Sequence, residues 1–226
     1  MRIHWDIVQG SDEWHEIKWG KVGGSTLDDV IANECKPVKN NAIFNRLLSE
    51  RMEDFDPFGI STFKSNAMEV GTELEPVAAQ EFERITGIVL SEMGWAERED
   101  GFLGISPDRV VKDDIIKFAF ETKCPTGPVY ASYLRDNSLI MTKYAWQIVD
   151  YFAVFEQLET LYFFVFRPQN QIQPHILLEI TRDTVIQVNK SKSGTVGQLV
   201  NEAIMRVAEL KKELENTIEE LSKPKF

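Results

Sequence analysis

Residues 115–123 read Ile-Ile-Lys-Phe-Ala-Phe-Glu-Thr-Lys, a run of β-branched and aromatic side chains that ends in charge. Lys112-Asp113-Asp114 precede it and Pro125 follows, so turn signals bound it on both sides and it predicts a β-strand. Side chains alternate across a strand, which puts Glu121 and Lys123 on one face and Phe118 and Phe120 on the other. Residues 102–105 predict a shorter apolar strand, stopped by Pro107, which cannot donate to a ladder. Pairing the two segments as a hairpin brings Asp108 close to Glu121.

That juxtaposition carries a specific chemistry. Hard divalent cations take oxygen ligands, and Mg²⁺ usually binds one or two carboxylates and completes its octahedron with waters and phosphate oxygens. Asp108 and Glu121 would supply the carboxylates, with the backbone carbonyl of Thr122 as a further ligand. Lys123 beside them would orient or help deprotonate an attacking water and offset phosphate charge. This is equipment for Mg²⁺-dependent phosphodiester hydrolysis, with Mn²⁺ expected to substitute. The plain alternative is a solvated Glu/Lys pair on a surface strand. Glu-x-Lys alone is a weak signal, but after a hydrophobic strand and a Ser-Pro-Asp arm it is much stronger.

The rest of the chain alternates helical and strand patterns. Leu74, Val77, Ala78, Phe82 and Ile85 recur at helical spacing, and Gly87 closes the segment. Glu75 lies beside that stripe, aimed into a cleft or serving as an N-terminal carboxylate just before Pro76. Residues 143–155 predict a buried helix on which Tyr144 and Gln147 fall three apart on one side. Strands are expected near 161–167 and 176–180. Residues 183–222 are expected to hold a long last helix with one apolar stripe from Val196 to Leu221. Residues 36–66 are polar and turn-rich, and a mobile loop near a ligand or subunit edge is expected there. The mixed order predicts an α/β fold, a central mixed sheet flanked by helices. One domain is expected over 1–226: a helical part to about 90, a core over about 91–182, then the helix.

More of the chain fits a known pattern. Gln9-Gly10, Trp14, Lys18, Gly20, Val22 and Ser25 stand in order near the N-terminus, Gly71 and Glu75 follow, and Tyr144 and Gln147 come later. With Ser106-Pro107-Asp108 and Glu121-Thr122-Lys123, this series resembles the phage lambda exonuclease and YqaJ-type viral recombinase family, within the PD-(D/E)xK nuclease superfamily. The resemblance implies a restriction-endonuclease-like core in which Asp108, Glu121, the Thr122 carbonyl and Glu75 bind metal, and Lys123 and Gln147 position the water. It implies a 5′-phosphate pocket at Lys18, Ser25 and Ser106, with Lys21 sharing the task and Tyr144 also at the DNA. It implies 5′→3′ digestion of one strand of duplex DNA, a 3′ tail for a single-strand annealing protein, and a ring-shaped homotrimer. Two departures stand out. Lys18 occupies the family's arginine position, a point charge in place of a bidentate fork. Gly23-Gly24 replace the family's Thr-Ala, which loosens the turn or lets the backbone approach a phosphate.

Composition sets the remaining bounds. With 226 residues, 43% of them hydrophobic, the chain can bury one substantial core. Cys35 and Cys124 suggest no disulfide framework, and Cys124 reads as a packing residue. Trp5, Trp14, Trp19 and Trp95 are expected mostly in the core. No signal peptide or membrane span is legible, so a host cytoplasm is the expected compartment. The net charge of −11 opposes phosphate binding, which normally uses a basic face. Bound Mg²⁺ and local clusters such as Lys36, Lys39, Arg46 and Arg51, or Lys190 and Lys192, soften that objection. The rivals are a restriction-type endonuclease on the same core and a DNA-end clamp that has lost catalysis. The complete Asp108/Glu121/Lys123 set argues against the clamp.

Overall fold

The computed structural model describes residues 1–32, 41–57 and 66–224. A short strand, β1 (Arg2–His4), leads into helices α1 (Asp12–Lys18), α2 (Leu27–Ala32), α3 (Ala42–Met52) and α4 (Asn66–Thr86). Strands β2 (Trp95–Glu97), β3 (Gly104–Ile105), β4 (Arg109–Val110) and β5 (Phe118–Lys123) follow. Helices α5 (Gly127–Arg135), α6 (Ser138–Lys143) and α7 (Ala145–Val154) then connect β5 to β6 (Thr160–Phe166) and β7 (His175–Ile180). A hairpin of β8 (Val185–Asn189) and β9 (Lys192–Thr195) precedes the last helix, α8 (Val196–Leu221).

The central sheet has the order β4-β5-β6-β7 and is mixed, as expected: β5 runs parallel to β6, and the two outer pairs are antiparallel. A parallel neighbour requires a crossover, which α5, α6 and α7 provide. The strand predicted from residue 115 begins at Phe118. The hairpin arm also differs from expectation. β4 pairs with β5, setting Arg109 opposite Phe120, whereas residues 104–105 join β1 and β2 in a separate three-stranded sheet. Gly104 shows why: a Cβ there would stand 2.3 Å from the Trp95 ring, so this backbone is built to lie under that indole. Asp108 still arrives beside β5, because it immediately precedes β4.

The two faces of β5 are covered differently. On one, Phe120 and Phe164 pack with Ala78, Ala79 and Phe82 of α4, with the Phe82 and Phe120 ring centroids 4.9 Å apart. Val77 and Ile85, expected in that stripe, are largely exposed, and Gly87 ends the helix at φ +73. The helix starts at Asn66, so Pro76 lies in its interior and Glu75 is no N-terminal carboxylate. On the other face lies α7, which is buried on both sides because α8 packs behind it. Of its ten residues only Gln147 escapes burial.

Two further expectations are corrected. Residues 42–52, read as part of a loop, form α3: Ile43, Phe44 and Leu47 bury one face, and Asn41 caps it by accepting the Phe44 N–H at 3.1 Å. Residues 33–40 and 58–65 lie outside the described residues. The helix expected over 183–222 begins only at Val196, where Thr195 and Gln198 form a capping box; a hairpin occupies 185–195. Val196, Val200, Ala203, Val207, Leu210 and Leu214 are its buried stripe, and Leu221 is exposed. Among the described residues no helix is long and apolar enough to cross a membrane.

Candidate active site

Glu121 is the centre of the arrangement. It sits on the α7 face of β5, 1% exposed, and both carboxylate oxygens are occupied. Lys123 and Gln147 donate to Oε1, Gln147 Nε2 at 2.6 Å, and the Tyr151 hydroxyl donates to Oε2. Asp108 is half-buried next to it, its Oδ2 accepting the Thr122 N–H at 2.7 Å. The Thr122 hydroxyl turns to the far side and donates to the Phe164 carbonyl at 2.9 Å. Glu75 approaches from α4, where Oε1 meets Arg109 at 3.1 Å. Asp108, Thr122, Lys123, Glu75 and Tyr144 line one cleft of about 550 Å³.

The electrostatics of this cleft are those of crowded acids. Burial, then repulsion from Glu121, raises the Asp108 pKa well above the ordinary aspartate value; Lys123 and the Thr122 N–H oppose the shift. Burial also raises Glu75, with Arg109 opposing and Glu121 adding repulsion. For Lys123, burial pulls downward, but Glu121 and Asp108 outweigh it and hold the amine above the usual lysine range. Tyr151 is pushed up by burial and by the same two carboxylates, so it remains a donor.

These residues fit a divalent cation. Three carboxylates repel one another here, Lys123 and Arg109 offset them in part, and such a donor set is all oxygen. Among the described residues no three Asp, Glu, His or Cys side chains close into an all-protein cage. Mg²⁺ does not need one, because it keeps waters and takes phosphate oxygens. Cys124, in the same cleft, has its thiol pushed up to about 11 by burial, which makes it no nucleophile.

A second cavity, about 730 Å³, has Gln147 in its wall. Lys18, Ser25, Ser106 and Lys21 all line it, whereas Tyr144 belongs to the carboxylate cleft, with the Lys123 ammonium 5.3 Å from its ring centroid. The Lys18 ammonium rests 3.3 Å from the Trp14 ring centroid and 5.6 Å from that of Trp95, and its pKa falls to about 8 through burial and then the charge of Arg46. Lys21 is differently disposed. Its ammonium pairs with the buried carboxylate of Glu97, which also accepts the Trp95 indole N–H at 3.2 Å. Ser106 accepts the Trp14 indole N–H and donates to the Gly94 carbonyl at 2.7 Å. Ser25 is exposed at the rim, and Thr26 precedes α2 and binds both polar groups of the Gly23 backbone at 3.0 Å.

Four contributors were missed from sequence. Tyr151 follows Gln147 by four, a spacing that places both on one face of a helix and was legible. Arg109 adjoins Asp108 but carries no spacing signal of its own. Arg46 reaches the second cavity from α3, an element read as loop. Gln9 was quoted only as part of a motif; its amide donates to the carbonyls of Met93 at 2.9 Å and Pro107 at 2.8 Å, tying down the residue before Asp108.

Comparison with known proteins follows the same lines. The family model described as YqaJ-like viral recombinase domain matches residues 13–157. An alkaline exonuclease from Laribacter hongkongensis is similar in structure, with a TM-score of 0.71 and 24% identity over 93% of this chain and 96% of that one. The same enzyme in complex with dAMP gives a TM-score of 0.70. A phage-related exonuclease from Haemophilus somnus 129PT is 19% identical over 89% of this chain and 96% of that one, with a TM-score of 0.60. No curated protein matches. At these identities the structural likeness is one of fold, a mixed sheet flanked by helices.

Proposed function

Because this chain belongs to the YqaJ-like viral recombinase domain family, we propose that it is a Mg²⁺-dependent 5′→3′ exonuclease acting on one strand of linear duplex DNA. It would leave 3′ single-stranded tails for a strand-annealing protein and, like the family it resembles, work as a ring of three chains. The exonuclease names of the two structural relatives are in keeping with this reading. The observation that carries it is the Glu121 carboxylate, buried next to cleft-lining Asp108 and held there by Lys123, Gln147 and Tyr151. A surface ion pair would need no such housing.

Asp108, Glu121 and the Thr122 carbonyl would hold the metal, with Glu75 contributing once released from Arg109. A bound divalent cation supplies Lewis acidity toward the phosphate and a more acidic water. Lys123 keeps its proton while Glu121 and Asp108 face it as free carboxylates. Engaging both as ligands weakens that hold, which suits Lys123 to orienting the water or taking part of its proton. Gln147 lines the Lys18 cavity and also fixes Glu121 Oε1, so it links that cavity to the carboxylates. A strand end seated at Lys18 would therefore place its first phosphodiester near the carboxylates.

The deciding experiment digests linear and circular duplexes, with each strand labelled separately, in Mg²⁺, in Mn²⁺ and in chelator. Loss of label from 5′ ends only, with circles intact and no reaction in chelator, is expected. Cutting of circles would favour the endonuclease, and digestion by Glu121→Ala at the wild-type rate would remove the assigned mechanism.

A further inference from the structure

Besides Lys18 and the paired Lys21, the cavity contains a cation that no motif assigns. Arg46 projects from α3 into the same space, 45% exposed. Its Nε lies 3.4 Å from Glu50 Oε1, and the other Glu50 oxygen accepts the Gly20 N–H at 3.0 Å, so the guanidinium is held by an anchored carboxylate on the same cavity wall. Lys18 has no ion pair with any described carboxylate and lies instead on indole faces. Both cations line one cavity, which also holds Trp14, Trp19 and Trp95 and in which Lys21 is already paired with Glu97, and Arg46 is close enough to disfavour the charge on Lys18. An anion between them would relieve that repulsion.

The chemistry of a strand end fits this pair. A terminal phosphate monoester carries about −1.5 to −2 near neutrality, whereas an internal phosphodiester carries a single charge and a 5′-hydroxyl none. A planar guanidinium also binds phosphate through two parallel hydrogen bonds, which an ammonium cannot do. We propose that Arg46 is the second anion-binding cation of this pocket and, with Lys18, sets a preference for 5′-phosphorylated over 5′-hydroxyl ends. The guanidinium missing at position 18 is supplied from a different helix. This rests on the reading of the cavity as the seat of a 5′ end.

The test compares the full chain with Arg46→Gln and Arg46→Lys on duplexes ending in 5′-phosphate or 5′-hydroxyl. Two quantities are read: kcat/KM for digestion in Mg²⁺, and end binding by fluorescence anisotropy in chelator. Arg46→Gln is expected to lower the phosphate-to-hydroxyl ratio by about tenfold or more in both, as for loss of a charged hydrogen bond, and Arg46→Lys by less. An unaltered ratio, or equal losses on both ends, overturns the assignment. If the wild type digests no linear duplex, the exonuclease reading fails by itself, and the binding ratio in chelator still decides the role of Arg46. Circular dichroism on each variant separates an unfolded protein from a folded one; Arg46→Lys retains the charge and serves if Arg46→Gln unfolds.

Discussion

Tyr151 donates its phenolic hydrogen to Glu121 Oε2 from α7, while Gln147, one turn earlier on the same helix, donates to Oε1. The helix thus holds the strand carboxylate by both oxygens and leaves it no freedom to rotate. Tyr151→Phe keeps the ring in the core and deletes only that hydrogen bond. Partners behind a metal ligand typically matter about 10- to 100-fold in metal affinity or activity. We expect such a loss in kcat, with a raised Mg²⁺ requirement and little change in KM for DNA. A wild-type Mg²⁺ titration curve for the variant would show that Tyr151 merely packs.

The crowded carboxylates imply that stability and activity oppose each other at Asp108. Its folded pKa is raised, so the folded state binds more protons than the unfolded one between the ordinary aspartate value and the raised value. Stability is therefore full at low pH and declines as pH climbs through that window. Asp108→Asn keeps an acceptor for the Thr122 N–H and removes the repulsion. It is expected to be inactive but to melt higher than wild type at neutral pH in chelator, by roughly 2–4 °C for each kcal/mol relieved. Mg²⁺ should raise the wild-type Tm by mass action and move the variant much less. Melting curves in chelator and in Mg²⁺ check both halves; a variant that melts lower in chelator would contradict the account.

Lys18 gives the pocket a pH dependence of its own. The amine loses its proton around pH 8, against an ordinary value of 10.5, because burial and Arg46 disfavour the charge. The cation is present below that pH and disappears above it, so affinity for a phosphorylated end should fall about tenfold per unit beyond it. Lys18→Arg places a permanently charged group there and should keep the end preference into the alkaline range. Competition between 5′-phosphate and 5′-hydroxyl duplexes in chelator, from about pH 7 to about pH 9.5, reads this directly. Parallel profiles for wild type and Lys18→Arg would exclude Lys18 as the titrating group.

The legible parts of this molecule were those where pattern and burial coincide. Period-two alternation in residues 115–123 gave the faces of β5, and the apolar density of residues 143–155 gave a buried helix, found as α7. Two-residue strands carry no such pattern, which is why the arm paired with β5 was placed at 102–105 and not at Arg109–Val110. The α3 helix was hidden by the polar, proline- and asparagine-rich residues around it, although Ile43, Phe44 and Leu47 suffice to bury one side. At the site, adjacency of Asp108 to β5 followed from chain order. Partner choice did not: the pairing of Lys21 with Glu97 and of Glu75 with Arg109 depends on elements far apart in sequence.

Asp150 extends the same logic to the interior of α7. It is fully buried, and neither carboxylate oxygen has a hydrogen-bond partner among the described residues. Its Oδ2 would stand 3.3 Å from a Cβ on Gly24, so the glycine at that turn leaves room for the acid. Burial raises its pKa far above the ordinary value of 3.8. As for Asp108, the folded state then holds a proton that the unfolded chain gives up, and stability falls as pH rises above the unfolded value. Asp150→Asn has nearly the same shape and no proton to hold. Its Tm should match that of the wild type near the unfolded aspartate pKa and exceed it by a margin that widens toward neutrality. Thermal melts across that range decide the matter: a constant difference would mean that folding leaves the Asp150 pKa unshifted, and a wild type that gains on the variant as pH rises would mean that Asp150 is ionised and paired.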